Sequence, residues 1–230
     1  MSYPVQVKSN NYKYLSFITG IFTATLLISN TLDAKVFALG ALNLPGGIIL
    51  FPLAYIFGDI LTEVYGYAVS RKVIWTGFIS LVLMVIAYEI VKILPAAPFW
   101  TGQEAYNQIL GIVPRLVLAS ICAYFLGEFC NAYVLARFKV RTNGKKMAFR
   151  LLASTVVGQA VDTTIFVLVA FSGIYRFVEL LSIVLSAWVF KVLWELIALP
   201  LTMFVVNQLK KAENEDYFDV DTNFNPFRFE

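Results

Sequence analysis

The segment FPLAYIFGDILTEVYGY, residues 51–67, holds two carboxylates in an otherwise apolar stretch. Asp59 and Glu63 are four residues apart, and Thr62 lies between them. On an α-helix, residues three or four positions apart lie on the same face, so these side chains form one polar stripe. In a membrane such a stripe faces other helices or water, because lipid excludes charged groups. The segment therefore predicts a membrane helix that contributes polar groups to a helix bundle.

The rest of the chain has the composition of a membrane protein. Its 230 residues are 59% hydrophobic and 14% charged, whereas soluble domains carry about 25% charged residues. A transmembrane helix needs about 20 mainly apolar residues. The segments that meet this need are 15–36, 47–65, 73–94, 116–137, 151–171 and 180–206. We therefore predict an all-α membrane protein with six transmembrane helices.

This prediction divides the chain into three parts. Residues 1–13 form an amino-terminal arm, residues 14–207 form the membrane domain, and residues 208–230 form a carboxy-terminal tail. The tail has no apolar period, so we expect it to lie on the surface or to be partly disordered.

The distribution of Lys and Arg predicts the orientation. Most basic residues fall in the arm, in the loops after the second and fourth segments, and in the tail. Because cytoplasmic loops are enriched in Lys and Arg, we expect both termini in the cytoplasm. The loops are short and their basic residues follow the topology, so we expect no nucleic-acid partner.

The chain contains no histidine, which excludes His-based acid–base catalysis and His metal sites. Cys122 and Cys130 are eight residues apart on one predicted helix, a spacing that suits no metal motif. We therefore predict no metal site and no cofactor. An enzyme that uses Asp59 and Asp162 as a pair is conceivable, but the sequence around them has no protease-like motif. We predict that the protein is not an enzyme.

Three further segments also carry polar residues along one helical face. The residues that share these stripes are Asp59 and Glu63 in the second segment, Glu128 and Asn131 in the fourth, Gln159 and Asp162 in the fifth, and Trp188, Lys191 and Glu195 in the sixth. Asp59, Glu128 and Asp162 lie near the middle of their segments, as does Lys191, which places them near the bilayer midplane. An unpaired charge there costs about 2.5–3.5 kcal/mol. We therefore predict that these residues line a shared substrate-binding site.

Simpler interpretations of the same residues stay open. Lys191 and Glu195 are one helical turn apart and can neutralise each other, and Trp188 can serve core packing. A glycine also precedes the polar residue in three of the stripes, at Gly58, Gly127 and Gly158. This recurrence is consistent with an inverted repeat of the kind found in transporters, or with close helix packing.

The chemistry of the stripes suits a ligand rich in hydrogen-bond donors. Carboxylates accept N–H groups, and amides both donate and accept. A planar nitrogen heterocycle and a small cation both fit this set. A proton-coupled carrier for another cationic solute therefore stays open, as does a structural membrane protein, although a structural protein does not need midplane carboxylates.

Several long stretches resemble the queuosine precursor transporter family, which is of the vitamin-uptake type. They are ISNTLDAK (28–35), the segment 51–67 with RKVIW (71–75), GEFCNAYVLAR (127–137), RLLASTVVGQAVDTTIFVLVAF (150–171) and FNPF (224–227). The resemblance implies a carrier in a bacterial inner membrane, with a fold similar to the substrate-binding subunits of vitamin importers. It implies 7-deazaguanine substrates, chiefly 7-cyano-7-deazaguanine and its aminomethyl relative, which are salvaged for tRNA modification.

With this substrate class, one carboxylate would accept the N1–H and the exocyclic amine of the base. Asp162 and Glu128 are the leading candidates, with Asn131 and Gln159 at the carbonyl side and an aromatic ring over the base. The partners implied are a small-molecule substrate and the lipid bilayer; a second copy or a coupling partner is left open. A carrier for another small heterocyclic or cationic vitamin-like solute stays the alternative.

Overall fold

The computed structural model describes residues 12–32, 35–39, 42–110, 114–173 and 176–228. Within these residues the chain forms seven α-helices, one two-stranded hairpin and one 3-10 turn. In chain order they are α1 (Leu15–Leu32), β1 (Val36–Leu39), β2 (Leu42–Pro45), the 3-10 turn Gly46–Ile49, α2 (Phe51–Tyr65), α3 (Tyr67–Ile93), α4 (Gln103–Leu110), α5 (Pro114–Arg141), α6 (Met147–Phe171) and α7 (Phe177–Glu213). The predicted helical fold is confirmed, and the antiparallel hairpin is an addition to it. Most of the predicted arm, residues 1–13, lies outside the described residues.

Five of these helices, α1, α3, α5, α6 and α7, are long and apolar enough to span a membrane. The second predicted segment is different, because its helix α2 has only 15 residues. At 1.5 Å per residue α2 is about 22 Å long, which is shorter than the roughly 30 Å of a hydrocarbon core. The hairpin and the 3-10 turn precede it in the chain.

The backbone before α2 is packed against α1. The amide of Gly46 donates to the carbonyl of Lys35 at 2.7 Å, and the hydroxyl of Ser29 donates to the carbonyl of Gly47 at 3.1 Å. Gly46 and Gly47 are buried, and a Cβ on Gly46 would overlap the carbonyl of Leu32. Non-helical backbone is tolerated at membrane depth where protein covers it, and α1 provides that cover.

Several helix ends meet at one face of the bundle, which we call the basic face. The start of α1 lies beside the end of α7, because the amides of Lys13 and Tyr14 donate to Glu213 at 2.8 and 2.7 Å. Glu63 near the end of α2 pairs there with Arg150 near the start of α6 and with Lys210 near the end of α7. The first described residues and the carboxy-terminal end of α7 therefore lie on the same face.

The tail is bound to the surface rather than disordered over residues 214–228. Arg71, which is 1% exposed, donates to the carbonyls of Asn223 and Asn225 at 2.8 and 2.7 Å. The indole of Trp75 donates to the carbonyl of Pro226 at 2.8 Å. Asp219 accepts the amide of Tyr67 at 3.0 Å. The start of α3 is therefore the main attachment point of the tail.

Aromatic rings complete this attachment. The guanidinium of Arg137 lies 4.4 Å from the ring centroid of Phe224, and Phe227 packs against Trp75 and Phe125. The FNPF stretch thus connects the tail to α3 and α5 at the basic face.

An ion pair adds a pH-dependent contact between the tail and the helices. Burial alone would raise the pKa of Asp216, but Lys139 and Lys210, at 2.6 and 2.8 Å, hold this pKa below its ordinary value. A carboxylate with a lowered pKa stabilises the folded state fully above its ordinary pKa, and this contribution is lost as the pH falls through the lowered one. The contact therefore holds the tail at neutral pH.

Replacing Arg71 by Ala should release the tail, because two hydrogen bonds from a charged donor contribute about 3 kcal/mol. In detergent, chymotrypsin should then cut the variant after Tyr217, Phe218 or Phe224 faster than the wild type, as followed by mass spectrometry. Lys72→Ala removes an exposed neighbouring charge and should leave the rate unchanged. Equal cleavage rates in Arg71→Ala and wild type would contradict this account of the tail.

Candidate functional site

Two glycines set the close approach of α5 and α6. A Cβ on Gly127 of α5 would lie 2.6 Å from Cβ of Asp162, and a Cβ on Gly158 of α6 would lie 2.7 Å from Cβ of Asn131. Such contacts leave no room for a larger residue. The glycines that recur in the sequence therefore serve helix packing, and each one brings a polar residue of the other helix close.

A buried polar cluster lies around this crossing, with side chains from four helices. Its members each expose 6% of their surface or less: Asp59 from α2, Glu128 and Asn131 from α5, Gln159 and Asp162 from α6, and Glu195 from α7. Asn131 donates to Oδ1 of Asp59 at 2.8 Å. Glu128 interacts electrostatically with both Asp162 and Glu195. Five of the predicted site residues, Asp59, Glu128, Asn131, Asp162 and Glu195, thus interact with one another. Gln159 is buried next to Gly158 at the crossing.

The backbone of α2 also shapes this cluster. A Cβ on Gly58 would overlap Oε1 of Glu128. The carboxylate of Glu128 therefore lies directly against α2, at a place that only glycine leaves open.

Several acceptors in the polar cluster have no hydrogen-bond partner within the part of the chain that is described. They are Oδ2 of Asp59, Oε1 of Glu128, Oδ1 of Asn131 and Oε1 of Gln159. More than nine in ten buried polar groups in proteins are paired, so orphaned groups need an explanation. The four unpartnered atoms are all acceptors, so the partners that would satisfy them are N–H or O–H donors.

Lys191 and Asp162 form an ion pair between α7 and α6 at 2.7 Å. The side chain of Tyr55 also forms a hydrogen bond with Asp162. The structure thus pairs Lys191 with a residue of another helix, whereas the sequence pointed to Glu195 on its own helix. Asp162 is therefore held by two partners, unlike Glu128.

Glu63 lies at the basic face, where cations surround it. It pairs with Arg150, with Lys210 at 2.7 Å and with Lys139 at 3.9 Å. Lys139 also donates to the backbone carbonyl of Glu63. These pairs join α2 to α5, α6 and α7. One carboxylate oxygen of Glu63, Oε1, therefore forms ion pairs that hold the ends of these helices together.

Trp188 is held by the backbone of α6. Its indole N–H donates to the carbonyl of Val156 at 3.0 Å, and its side chain is half-buried. This contact ties α7 to α6 beside the ion pair of Lys191 and Asp162.

Three buried hydroxyls are not among the predicted site residues. Tyr124, Thr155 and Thr163 have side-chain oxygens without a partner among the described residues. Tyr124 precedes Glu128 by four residues, and Thr155 and Thr163 flank Gln159 at the same spacing. Because each hydroxyl is four residues from a carboxylate or amide on the same helix, helical spacing could have predicted them.

A family model described as a putative vitamin uptake transporter matches residues 45–205. The "Probable queuosine precursor transporter" of Bacillus subtilis (strain 168) is 32% identical over 155 residues, which are 67% of this chain and 68% of the relative. The "Queuosine precursor transporter" of Escherichia coli (strain K12) is 24% identical over 208 residues, 89% and 91% of the two chains. No solved structure matches. The region matched by the family model contains every residue of the polar cluster.

Gly127→Ala should destabilise the protein by about 1–3 kcal/mol, because the new methyl group overpacks the α5–α6 crossing. Gly20→Ala is the matched control, since a Cβ there meets nothing within 4 Å and alanine is the better helix former. Thermal unfolding in detergent measures both. A Gly127→Ala variant as stable as Gly20→Ala would contradict the proposed close packing.

Glu63→Gln should lower the free energy of unfolding by about 3–5 kcal/mol, because it leaves the buried guanidinium of Arg150 without its carboxylate partner, whereas Lys139 and Lys210 still pair with Asp216. Glu89 pairs with Lys92 at 2.6 Å in a part-exposed position on α3, so Glu89→Gln should cost no more than about 1 kcal/mol. Denaturation in detergent compares the two variants. If Glu63→Gln lowers the free energy of unfolding no more than Glu89→Gln does, the cations of the basic face do not need Glu63 as a counter-charge.

Proposed function

The chain belongs to the queuosine precursor transporter family, of the vitamin-uptake type, and on this premise we propose that it imports 7-deazaguanines for salvage into tRNA modification. The protein is a multi-pass membrane transporter of queuosine precursors and not an enzyme. The proposed substrates are 7-cyano-7-deazaguanine and 7-aminomethyl-7-deazaguanine. The proposed location is the inner membrane of a bacterium.

The proposed topology has six crossings, with both termini in the cytoplasm. The hairpin, the 3-10 turn and α2 together make the second crossing, and the five long helices make the others. The basic face gathers Lys139, Arg150 and Lys210, and cytoplasmic ends of membrane helices are enriched in such residues. This supports placing the start of α1 and the end of α7 inside the cell.

The observation that carries the proposed ligand is the set of unpartnered acceptors in the polar cluster. A 7-deazaguanine presents N1–H, the exocyclic amine and the pyrrole N–H, all of which are donors. We place the N1–H and amine edge on Glu128, which has an unpartnered oxygen and lies directly against Gly58. The side chains of Asn131 and Gln159 take the remaining polar edge of the base.

The other predicted site residues have supporting roles in this proposal. Asp59 orients Asn131 through their hydrogen bond. Lys191 holds Asp162, so Asp162, an equal candidate by sequence, is less available to the base than Glu128. Glu63 and Trp188 position the helices. Glu195 interacts with other carboxylates rather than with a donor, and we place it outside the set of base contacts.

The polar cluster is closed to solvent in this structure. Glu128, Asn131 and Gln159 each expose 1% of their surface or less. A base can reach them only if helices move apart, as alternating access requires. In the proposed transport cycle, we assign this closed arrangement to an occluded state.

Glu128→Gln should weaken binding of 7-cyano-7-deazaguanine about 10- to 100-fold, because a hydrogen bond to a charged group is worth about 1.5–3 kcal/mol. Ligand-induced thermal stabilisation in detergent measures this, with 7-aminomethyl-7-deazaguanine, guanine and thiamine as comparison ligands. Glu104→Gln changes an exposed carboxylate on α4 and should bind as the wild type does. Stronger stabilisation by thiamine than by the deazaguanines would favour the alternative of another vitamin-like solute.

Gly58→Ala tests the same placement without removing a charge. The added methyl group should displace the carboxylate of Glu128, which is the flexible end of a side chain, so the fold should persist while binding weakens. Wild-type affinity in both Glu128→Gln and Gly58→Ala would remove Glu128 from the site.

A further inference from the structure

The polar cluster holds more carboxylates than cations. Asp59, Glu128, Asp162 and Glu195 are all buried in it, and Asp162 pairs with Lys191. Within the described ranges, no Lys or Arg pairs with Asp59, Glu128 or Glu195. Within the part of the chain that is described, three buried carboxylates of the cluster therefore form no ion pair.

Three unpaired carboxylates that are all ionised are costly in a membrane. One unpaired charge at the bilayer centre costs about 2.5–3.5 kcal/mol, and two neighbouring carboxylates disfavour each other's ionisation further. Protons are the smallest counter-charge available, and among the described residues no group of acidic and sulfur side chains could hold a metal ion. Uptake of a proton from water before the cluster closes would lower this cost.

Asp59 and Glu195 are the pair best placed to hold a proton. Asp59 lies on α2 and Glu195 on α7, two helices that pack against each other, and both side chains are buried. Glu195 is also the carboxylate that acts most strongly on Asp59. Asn131 already donates to Oδ1 of Asp59, while Oδ2 has no partner within the described chain. A proton held between the two acids gives this oxygen the donor it lacks.

Among the described residues, the other titratable groups near the pair bond elsewhere or are acids themselves, and Tyr124 acts on Glu128 rather than on Asp59. The titratable and charged groups that face the two acids or their immediate neighbours are Tyr55 and Glu63 on α2, Tyr124 and Glu128 on α5, Asp162 on α6 and Lys191 on α7. Tyr55 bonds to Asp162, Lys191 pairs with Asp162, and Glu63 and Glu128 are further acids.

We propose that Asp59 and Glu195 together carry one proton across the membrane with each substrate molecule, so that the protein is a proton symporter. The proton enters from the outer solution while the cluster is open to that side, and it leaves to the cytoplasm when the substrate does. On the return step Lys191 compensates the emptied pair, because it precedes Glu195 by one helical turn and can reach either Glu195 or Asp162. This inference rests on the proposed function, since it requires that a deazaguanine is carried.

Reconstituted full-length protein in liposomes tests the coupling directly. With the membrane potential clamped at zero, a gradient of one pH unit, acidic outside, should drive about tenfold accumulation of labelled 7-cyano-7-deazaguanine, because one unit corresponds to 1.36 kcal/mol per proton. A pH-sensitive dye inside the liposomes should report acidification only when substrate is added. Substrate accumulation that does not depend on the pH gradient would contradict proton coupling.

Counterflow of labelled against unlabelled substrate, without any gradient, separates this inference from the proposed function. Counterflow in the wild type with no response to the gradient overturns proton coupling alone, whereas absence of counterflow overturns both. Glu195→Gln, which is fixed in a neutral form, should keep counterflow and lose gradient-driven accumulation, and Glu195→Asp should restore accumulation. Gradient-driven accumulation by Glu195→Gln would remove Glu195 from the proton site. If Glu195→Gln does not fold, the dye measurement on the wild type still decides.

Discussion

The cost of a charged group in hydrocarbon governs the whole arrangement of this protein. Asp59, Glu128, Asp162 and Glu195 are tolerated because helices, rather than lipid, surround them. That enclosure requires α5 and α6 to approach closely, and Gly127 and Gly158 permit it. The apolar surface around the bundle and the polar cluster inside it are thus two consequences of one constraint.

The buried carboxylates of the chain have two different kinds of surroundings. Glu63 is neutralised by protein cations at the basic face, where Arg150 and Lys210 belong to helices other than its own. Glu128 has an unpartnered oxygen and faces other acids. The first arrangement holds helix ends together, and the second supplies acceptors for the proposed substrate. The tail adds to the first arrangement, because Arg71 and Trp75 bind its backbone at the same face.

Helical periodicity was sufficient to find the polar stripes, because the positions of Asp59, Glu128 and Asp162 along their helices follow from spacing alone. It was not sufficient to separate Glu63 from Asp59, which share a stripe. That difference depends on where α2 ends and on which cations approach from α5, α6 and α7, and only the tertiary fold determines this. The partner of Lys191 is likewise a matter of helix packing rather than of spacing.

Two features of the fold were beyond the reach of hydrophobic patterns. The mean hydropathy of residues 47–65 predicts one continuous helix. In the structure, buried glycines lie in a 3-10 turn, and α2 begins only after it. The tail binds largely through its own backbone carbonyls, at Asn223, Asn225 and Pro226, and backbone acceptors leave no mark in a sequence. Its FNPF stretch supported the family resemblance without revealing where it packs.

An experimental structure of the protein with 7-cyano-7-deazaguanine is the most direct test of the idea that helices converge on a buried nucleobase site. The account predicts the N1–H and amine edge of the base within hydrogen-bond distance of Glu128, between α2, α5 and α6. A base bound elsewhere, with the polar cluster still closed and its acceptors satisfied by other side chains, would contradict it.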